Sequence, residues 1–123
     1  MVSPSVSYQA DLPLSFLWWP YNERVALLAG EQNDSGYTVV DIIPITNHDH
    51  NTYAFSVLRT DYERIATSLP SELAIIGALH THILPNQDGP SREDIKGLPA
   101  NWLGVILHLP TRRLLYYQAS DQS

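Results

Sequence analysis

The sequence predicts an α/β domain in which a single compact mixed β-sheet is flanked by helices. Three observations predict it. The run Leu73-Ala74-Ile75-Ile76-Gly77-Ala78-Leu79 has the length and apolar composition of a buried core strand. Further apolar and β-branched runs lie on both sides of it, bounded by clusters of Gly, Pro, Asn and Asp. Between them, Tyr62, Ile65, Ala66 and Leu69 fall at helical spacing.

The elements follow in order. Met1 to Asp11 is polar and Ser-rich and reads as a flexible lead-in. Leu12 to Trp19 is a short apolar segment that packs on the core, or offers Trp18 and Trp19 to a partner. Pro20-Tyr21-Asn22 breaks it. Glu23 then opens the strand Arg24 to Gly30, and Gln32 to Gly36 turns the chain into a second strand, Tyr37 to Ile45, as a hairpin. Pro44 marks the far end of that strand as an edge or a bulge. Thr46 to Asn51 is a loop with His48-Asp49-His50, and Tyr53 to Val57 is a short extended piece. A helix runs from Thr60, which can cap it, to Leu69. The central strand follows, then a loop from Ile83 to Pro90 and a helix from Ser91 to Leu98. Two last strands, Trp102 to Leu109 and Arg113 to Gln118, complete the order β-β-α-β-α-β-β. The expected divisions are a lead-in at 1–11, one domain at 12–118 and a tail at 119–123.

Composition narrows the function classes. The chain has 123 residues, 44% of them hydrophobic and 16% charged, which suits one globular domain with one core. There is no cysteine, so a metal must be held by His, Asp or Glu. A formal charge of −6 counts against a binder of nucleic-acid backbones, and suits a partner with a basic face. The N-terminal stretch matches neither a signal peptide nor a membrane span, because Pro13 and Ser15 interrupt a short apolar run. The cytoplasm is the expected compartment.

The chemistry converges on Gly77-Ala78-Leu79-His80-Thr81-His82 and Ser91-Arg92-Glu93-Asp94. Residues two apart on a strand share a face, so His80 and His82 point together while Thr81 points away. Two imidazoles and a nearby carboxylate make three of the four ligands that zinc wants, leaving the fourth position for water. Each piece also has a plainer reading. A strand-end histidine can be a hydrogen-bonded surface residue, Ser91-x-x-Asp94 is a capping box, and Glu23 beside Arg24 can be a surface charge. One reaction, amide hydrolysis, uses all of them. Zinc lowers the pKa of its water to about 7 and polarises the carbonyl. A carboxylate off the metal moves the proton, and a hydroxyl donor to the oxyanion contributes about 3 kcal/mol. In this reading His80, His82 and Asp94 hold zinc, Glu23 is the general base and Ser91 is the oxyanion donor.

Glu23 before an apolar strand, then His80-Thr81-His82, then Ser91-x-x-Asp94, resembles the motif of the JAMM (MPN-plus) zinc metalloproteases. The order of elements from about residue 12 to 118 agrees with that family. The resemblance implies an MPN/JAMM-like, cytidine-deaminase-like sandwich in a minimal prokaryotic form, with one Zn2+ per chain. It implies cleavage of (iso)peptide bonds at the C-terminus of a ubiquitin-like or sulfur-carrier protein, whose tail lies extended beside an exposed strand. By position, His80, His82 and Asp94 match the family's zinc ligands, Glu23 its acid/base and Ser91 its transition-state donor. The interval from His82 to Asp94 is one residue longer than the family's usual spacing, and strict spacing selects Glu93. Asp94 is preferred as the third ligand, because it preserves the local Ser-x-x-Asp geometry and a surface loop can absorb one residue, with Glu93 as its rival. Ile83 stands where the family often has proline.

Two other functions are consistent with the residues. One is a catalytically inactive MPN scaffold that acts as a protein–protein interaction module. The other is a JAMM-like domain in DNA repair, against which the acidic balance weighs. His48 and His50 make a poor ligand pair in an irregular loop that could border a cleft. His108, inside Val105-Ile106-Leu107, is either a solvent-facing strand residue or a satisfied core histidine.

Overall fold

The computed structural model describes residues 5–45 and 59–119. Its elements are β1 (Ser5–Tyr8), α1 (Leu14–Leu17), β2 (Val25–Asn33), β3 (Gly36–Ile45), α2 (Arg59–Ser68), β4 (Ala74–His82), α3 (Arg92–Gly97), β5 (Leu103–His108) and β6 (Arg113–Tyr117). The strands form one six-stranded sheet in the order β1-β3-β2-β4-β5-β6. β1 pairs parallel with β3 and β4 parallel with β5, while β2–β3, β2–β4 and β5–β6 are antiparallel. The fold is therefore a mixed α/β one, as expected.

The most central strands are also the most apolar. Val25 to Gly30 on β2, Ile75 to His82 on β4 and all of β5 are buried, because helices or loops cover both faces of the sheet there. Alternation divides the core. Ala26, Leu28, Val39, Leu79, Val105 and Leu107 pack on the concave face with Leu17 of α1. Val25, Leu27, Ile45, Ile75 and Ala78 face the other way and pack against Ile65 of α2. Ile106 and Tyr117 on that same face pack against Leu98 and Ile95 at α3. Fully burying a side chain such as Leu79 contributes roughly 2 kcal/mol, so the central strands anchor whatever stands at their ends.

Although β1 and β6 stand at opposite ends of the strand order, the hydroxyls of Tyr8 and Tyr116 are 2.9 Å apart. The sheet twists and curls far enough to bring its edges together. A bulge at Ala29/Gly30 contributes to the curl, and the backbone of Thr38 approaches Gly30 where any Cβ would overlap it.

Some expectations are corrected by these elements. Residues 5–8 are a strand rather than a loose lead-in. Ser5-Val6-Ser7-Tyr8 alternates, and Val6 and Tyr8 pack on the concave core. The segment 12–19 contains the short helix α1. Thr60 lies inside α2 rather than at its cap. Pro44 pairs with Ala26 beyond the reach of β1, so among the described residues that end of β3 is an edge, which suits its missing N–H. His48, His50 and the piece from Tyr53 to Val57 lie outside the described residues. Among the described residues no helix is long and apolar enough to cross a membrane.

Candidate functional site

The site is built where β2 begins and β4 ends. Val25 is the register partner of His80 across the antiparallel pair. One step further, Arg24 and Thr81 exchange backbone contact, with the Thr81 N–H donating to the Arg24 carbonyl at 3.0 Å. Glu23 therefore comes opposite His82 on the face that also carries His80. Glu23, His80 and His82 are all buried, and each offers a ligand atom within 4.8 Å of the others.

The third element is α3. Ser91 is its N-cap and Asp94 its third residue, and the capping box is complete. The Asp94 N–H donates to Ser91 Oγ at 3.0 Å, and the Ser91 N–H donates to Asp94 Oδ2 at 2.9 Å. The plainer reading of Ser91-x-x-Asp94 is thus correct. It does not compete with the chemical one. Oδ2 lies 3.1 Å from His82 Nε2 and 3.4 Å from His80 Nε2, so the box itself holds the carboxylate over the histidines. Glu93 is exposed on α3, and Asp94 is the carboxylate that reaches the pair.

The proton inventory at this point is informative. His82 Nδ1 lies 2.9 Å from the Gln87 carbonyl, which can only accept, so Nδ1 carries hydrogen. In neutral His82, Nε2 then presents a lone pair. It faces Asp94 Oδ2, another acceptor, and His80 Nε2 at 3.1 Å. Three donor atoms separated by 3.1, 3.1 and 3.4 Å make a nearly equilateral triangle. Tetrahedral zinc with bonds of about 2.0–2.1 Å needs ligand atoms about 3.3–3.4 Å apart. The residues fit a small, tetrahedrally bound cation on this geometry and on the chemistry of the donor set.

Electrostatics agree with an electron-rich site. Burial lowers the pKa of His80, against the opposing pull of Asp94, and so favours its neutral form. Burial also acts to lower His82, but Asp94, the Gln87 carbonyl and the charge of Glu23 outweigh it and raise the pKa. For Asp94, burial acts upward, yet His80, His82 and the Ser91 N–H overcome it and hold the carboxyl far below the usual range.

Other residues at the site carried no sequence signal of their own. Gln87 orients His82 from within the loop. Tyr117 on β6 lies across Gly104, its register partner, and its ring makes a T-shaped contact with His80 at 6.3 Å between centroids and 82° between planes. Burial, with Asp94 and Glu23 nearby, pushes the Tyr117 phenol well up and keeps it neutral. An aromatic residue opposite a strand glycine was the available signal. His108 is a satisfied buried histidine, with contacts to Thr111 Oγ1 at 2.8 Å and the Leu84 carbonyl at 3.1 Å.

Neither the protein-family models nor the curated proteins include a match to this chain. Among solved structures, it is similar to the solution structure of protein DSY2949 from Desulfitobacterium hafniense. The two are 19% identical with a TM-score of 0.65, over 91% of this chain and 81% of that one. At that identity the likeness concerns the fold alone.

Proposed function

We propose that this protein is a zinc-dependent hydrolase of JAMM type. It cleaves (iso)peptide bonds at the C-terminal tail of a ubiquitin-like or sulfur-carrier protein, in the cytoplasm and on an MPN-like sandwich. The observation that carries the reading is the triangle of His80 Nε2, His82 Nε2 and Asp94 Oδ2, with the buried carboxylate of Glu23 beside it. The motif resemblance supplies the substrate class.

His80, His82 and Asp94 would hold the ion. Zinc supplies Lewis acidity there, polarising the scissile carbonyl and acidifying water to a pKa of about 7. The Glu23 carboxylate accepts the proton of the attacking water and returns it to the departing amine, which balances the hydrolysis. Ser91 Oγ accepts from the Asp94 N–H, so its own hydrogen is available to the carbonyl oxygen as charge builds there. Burial of Glu23 beside His82 keeps the proton carrier close to the reacting atoms and away from bulk water.

A panel of ubiquitin-like C-terminal fusions, incubated with zinc-loaded protein with and without chelator, tests the reading. The expected results are chelator-sensitive cleavage, about one zinc per chain, and loss of both in His80→Ala/His82→Ala. Glu23→Gln should keep zinc and lose at least ~100-fold in turnover, the usual scale for a general base. Failure to bind zinc, or cleavage that survives the double substitution, would leave the hydrolase reading without support.

A further inference from the structure

The turn from Leu84 to Gln87 rests on two neighbouring histidines. His82 and His108 are register partners on the parallel strands β4 and β5, so their side chains leave the sheet on the same face. His82 reaches the Gln87 carbonyl at 2.9 Å and His108 reaches the Leu84 carbonyl at 3.1 Å. The turn is closed on itself, the Gln87 N–H donating to the Leu84 carbonyl at 3.0 Å and the Leu84 N–H to Gln87 Oε1 at 3.3 Å. It therefore moves as one unit. With both imidazoles in place it is held at two points, and with only His82 it can pivot about one.

A carbonyl only accepts, which assigns the tautomer of His108. Nε2 carries the hydrogen that goes to Leu84, and Nδ1 accepts from the Thr111 hydroxyl at 2.8 Å. Thr111 belongs to the tight connection between β5 and β6, where the Arg112 N–H donates to the His108 carbonyl at 2.7 Å. Arg112 there adopts a left-handed φ of 61°. The chain of contacts thus runs from the hairpin through His108 and the turn to His82 Nδ1.

We infer that His108 is a positioning residue. By fixing the Leu84–Gln87 turn, it holds His82 in the Nδ1–H tautomer and so keeps the His82 Nε2 lone pair aimed at Asp94 and His80. Its effect on metal affinity rests on the hydrolase reading above. Its effect on the His82 tautomer does not, because it follows from the hydrogen bonds of the turn alone. Partners that orient a ligand histidine typically change metal affinity by about 10–100-fold. His108 acts one contact further out, so the lower end, about tenfold, is expected.

The test uses the 15N-labelled full chain at mildly alkaline pH, with imidazole nitrogens observed by NMR in metal-free and zinc-titrated samples. The wild type should show His82 protonated at Nδ1 with slow exchange of that hydrogen. In His108→Leu the exchange should speed at least ~tenfold, tautomers should mix, and zinc affinity should fall about tenfold. His108→Gln, whose amide can still donate to Leu84, should restore most of both. Thr111→Val, a milder change that frees the His108 ring, should shift the tautomer balance in the same direction. An unchanged His82 tautomer and exchange rate in folded His108→Leu, or in Thr111→Val should the former not fold, overturns the inference. A wild type that binds no zinc overturns the hydrolase reading and leaves the tautomer result to decide this one.

Discussion

Thr81 Oγ1 accepts a hydrogen bond from the backbone N–H of Arg24 at 2.8 Å, while the Thr81 N–H donates to the Arg24 carbonyl at 3.0 Å. Both residues point away from the site, yet their neighbours Glu23, His80 and His82 point into it. The side chain of Thr81 thus continues the β2–β4 ladder past Val25 and fixes the separation of Glu23 from His80 and His82. Thr81 itself is fully buried. In Thr81→Val the Arg24 N–H is left unsatisfied, so stability should fall by about 1–3 kcal/mol in a denaturant titration. Thr81→Ser keeps the hydroxyl and should recover most of the loss. Turnover should fall further than zinc affinity in Thr81→Val, since the two ligands share β4 whereas Glu23 does not.

Asp94 is placed over the histidines by the same capping box that starts α3. Asp94→Asn keeps much of the cap but removes the anionic ligand, and zinc binding measured by chelator competition should weaken at least ~tenfold. Glu93→Gln, on the exposed side of α3, should leave zinc affinity and stability unchanged. A loss in Glu93→Gln with none in Asp94→Asn would make Glu93 the carboxylate that reaches the ion.

The central strand and the order of the later elements were legible because their signals are local. The apolar run Leu73 to Leu79 announces β4, and a serine three before an aspartate announces the start of α3. β1 was missed because it is an edge strand, half exposed, and its Ser-Val-Ser-Tyr alternation is diluted by polar residues. The ligand triangle was legible in part. Strand alternation places His80 and His82 together, and the Ser-x-x-Asp spacing favours Asp94 over Glu93, as the capping box bears out. The contacts that hold the intervening loop, of His82 to the Gln87 carbonyl and of His108 to the Leu84 carbonyl, were not legible, because a carbonyl leaves no trace in residue identity.

Ser91 caps α3, and the proposed hydrolysis gives it a second role that a substitution can separate from the first. Its Oγ accepts from the Asp94 N–H as an N-cap, and its hydrogen remains available to a developing oxyanion. Replacement of a capping serine by glycine costs only a few tenths of a kcal/mol, roughly, because glycine is itself an acceptable cap. Ser91→Gly should therefore melt close to the wild type and bind zinc. Cleavage should slow by about 100-fold or more, the usual effect of one lost oxyanion donor. Wild-type cleavage rates in that variant would confine Ser91 to capping.

The opposite shifts of His80 and His82 predict a stability optimum for the metal-free chain. Burial, helped by the charge of His82, lowers His80 against the opposing pull of Asp94. Its contribution is full above its unfolded value of about 6.5 and is lost as pH falls toward the depressed folded value. His82 is raised by Asp94, Gln87 and Glu23 against the larger pull of burial. Its contribution is full below about 6.5 and is lost as pH rises through the folded value. Denaturation midpoints should thus peak near pH 6.5, above the range where carboxylates titrate. The decline on the acid side should shrink in His80→Gln and the decline on the alkaline side in His82→Gln. Two flat arms in the wild type would mean that neither histidine senses the folded environment.

Gly104 is required by an aromatic ring. A Cβ at that position would overlap the Tyr117 ring, which covers the glycine and stands nearly perpendicular to the His80 ring. Cross-strand aromatic residues often cover a strand glycine in this way. Gly104→Ala should cost about 1–3 kcal/mol, as overpacking does, and should tilt the ring into His80. Tyr117→Phe preserves the ring that covers Gly104 and stands against His80, and should cost little. Tyr117→Leu alone should loosen His80 and lower zinc affinity. In Gly104→Ala/Tyr117→Leu the clash disappears, so the penalties should be less than additive, a coupling that stability measurements on all four proteins would reveal.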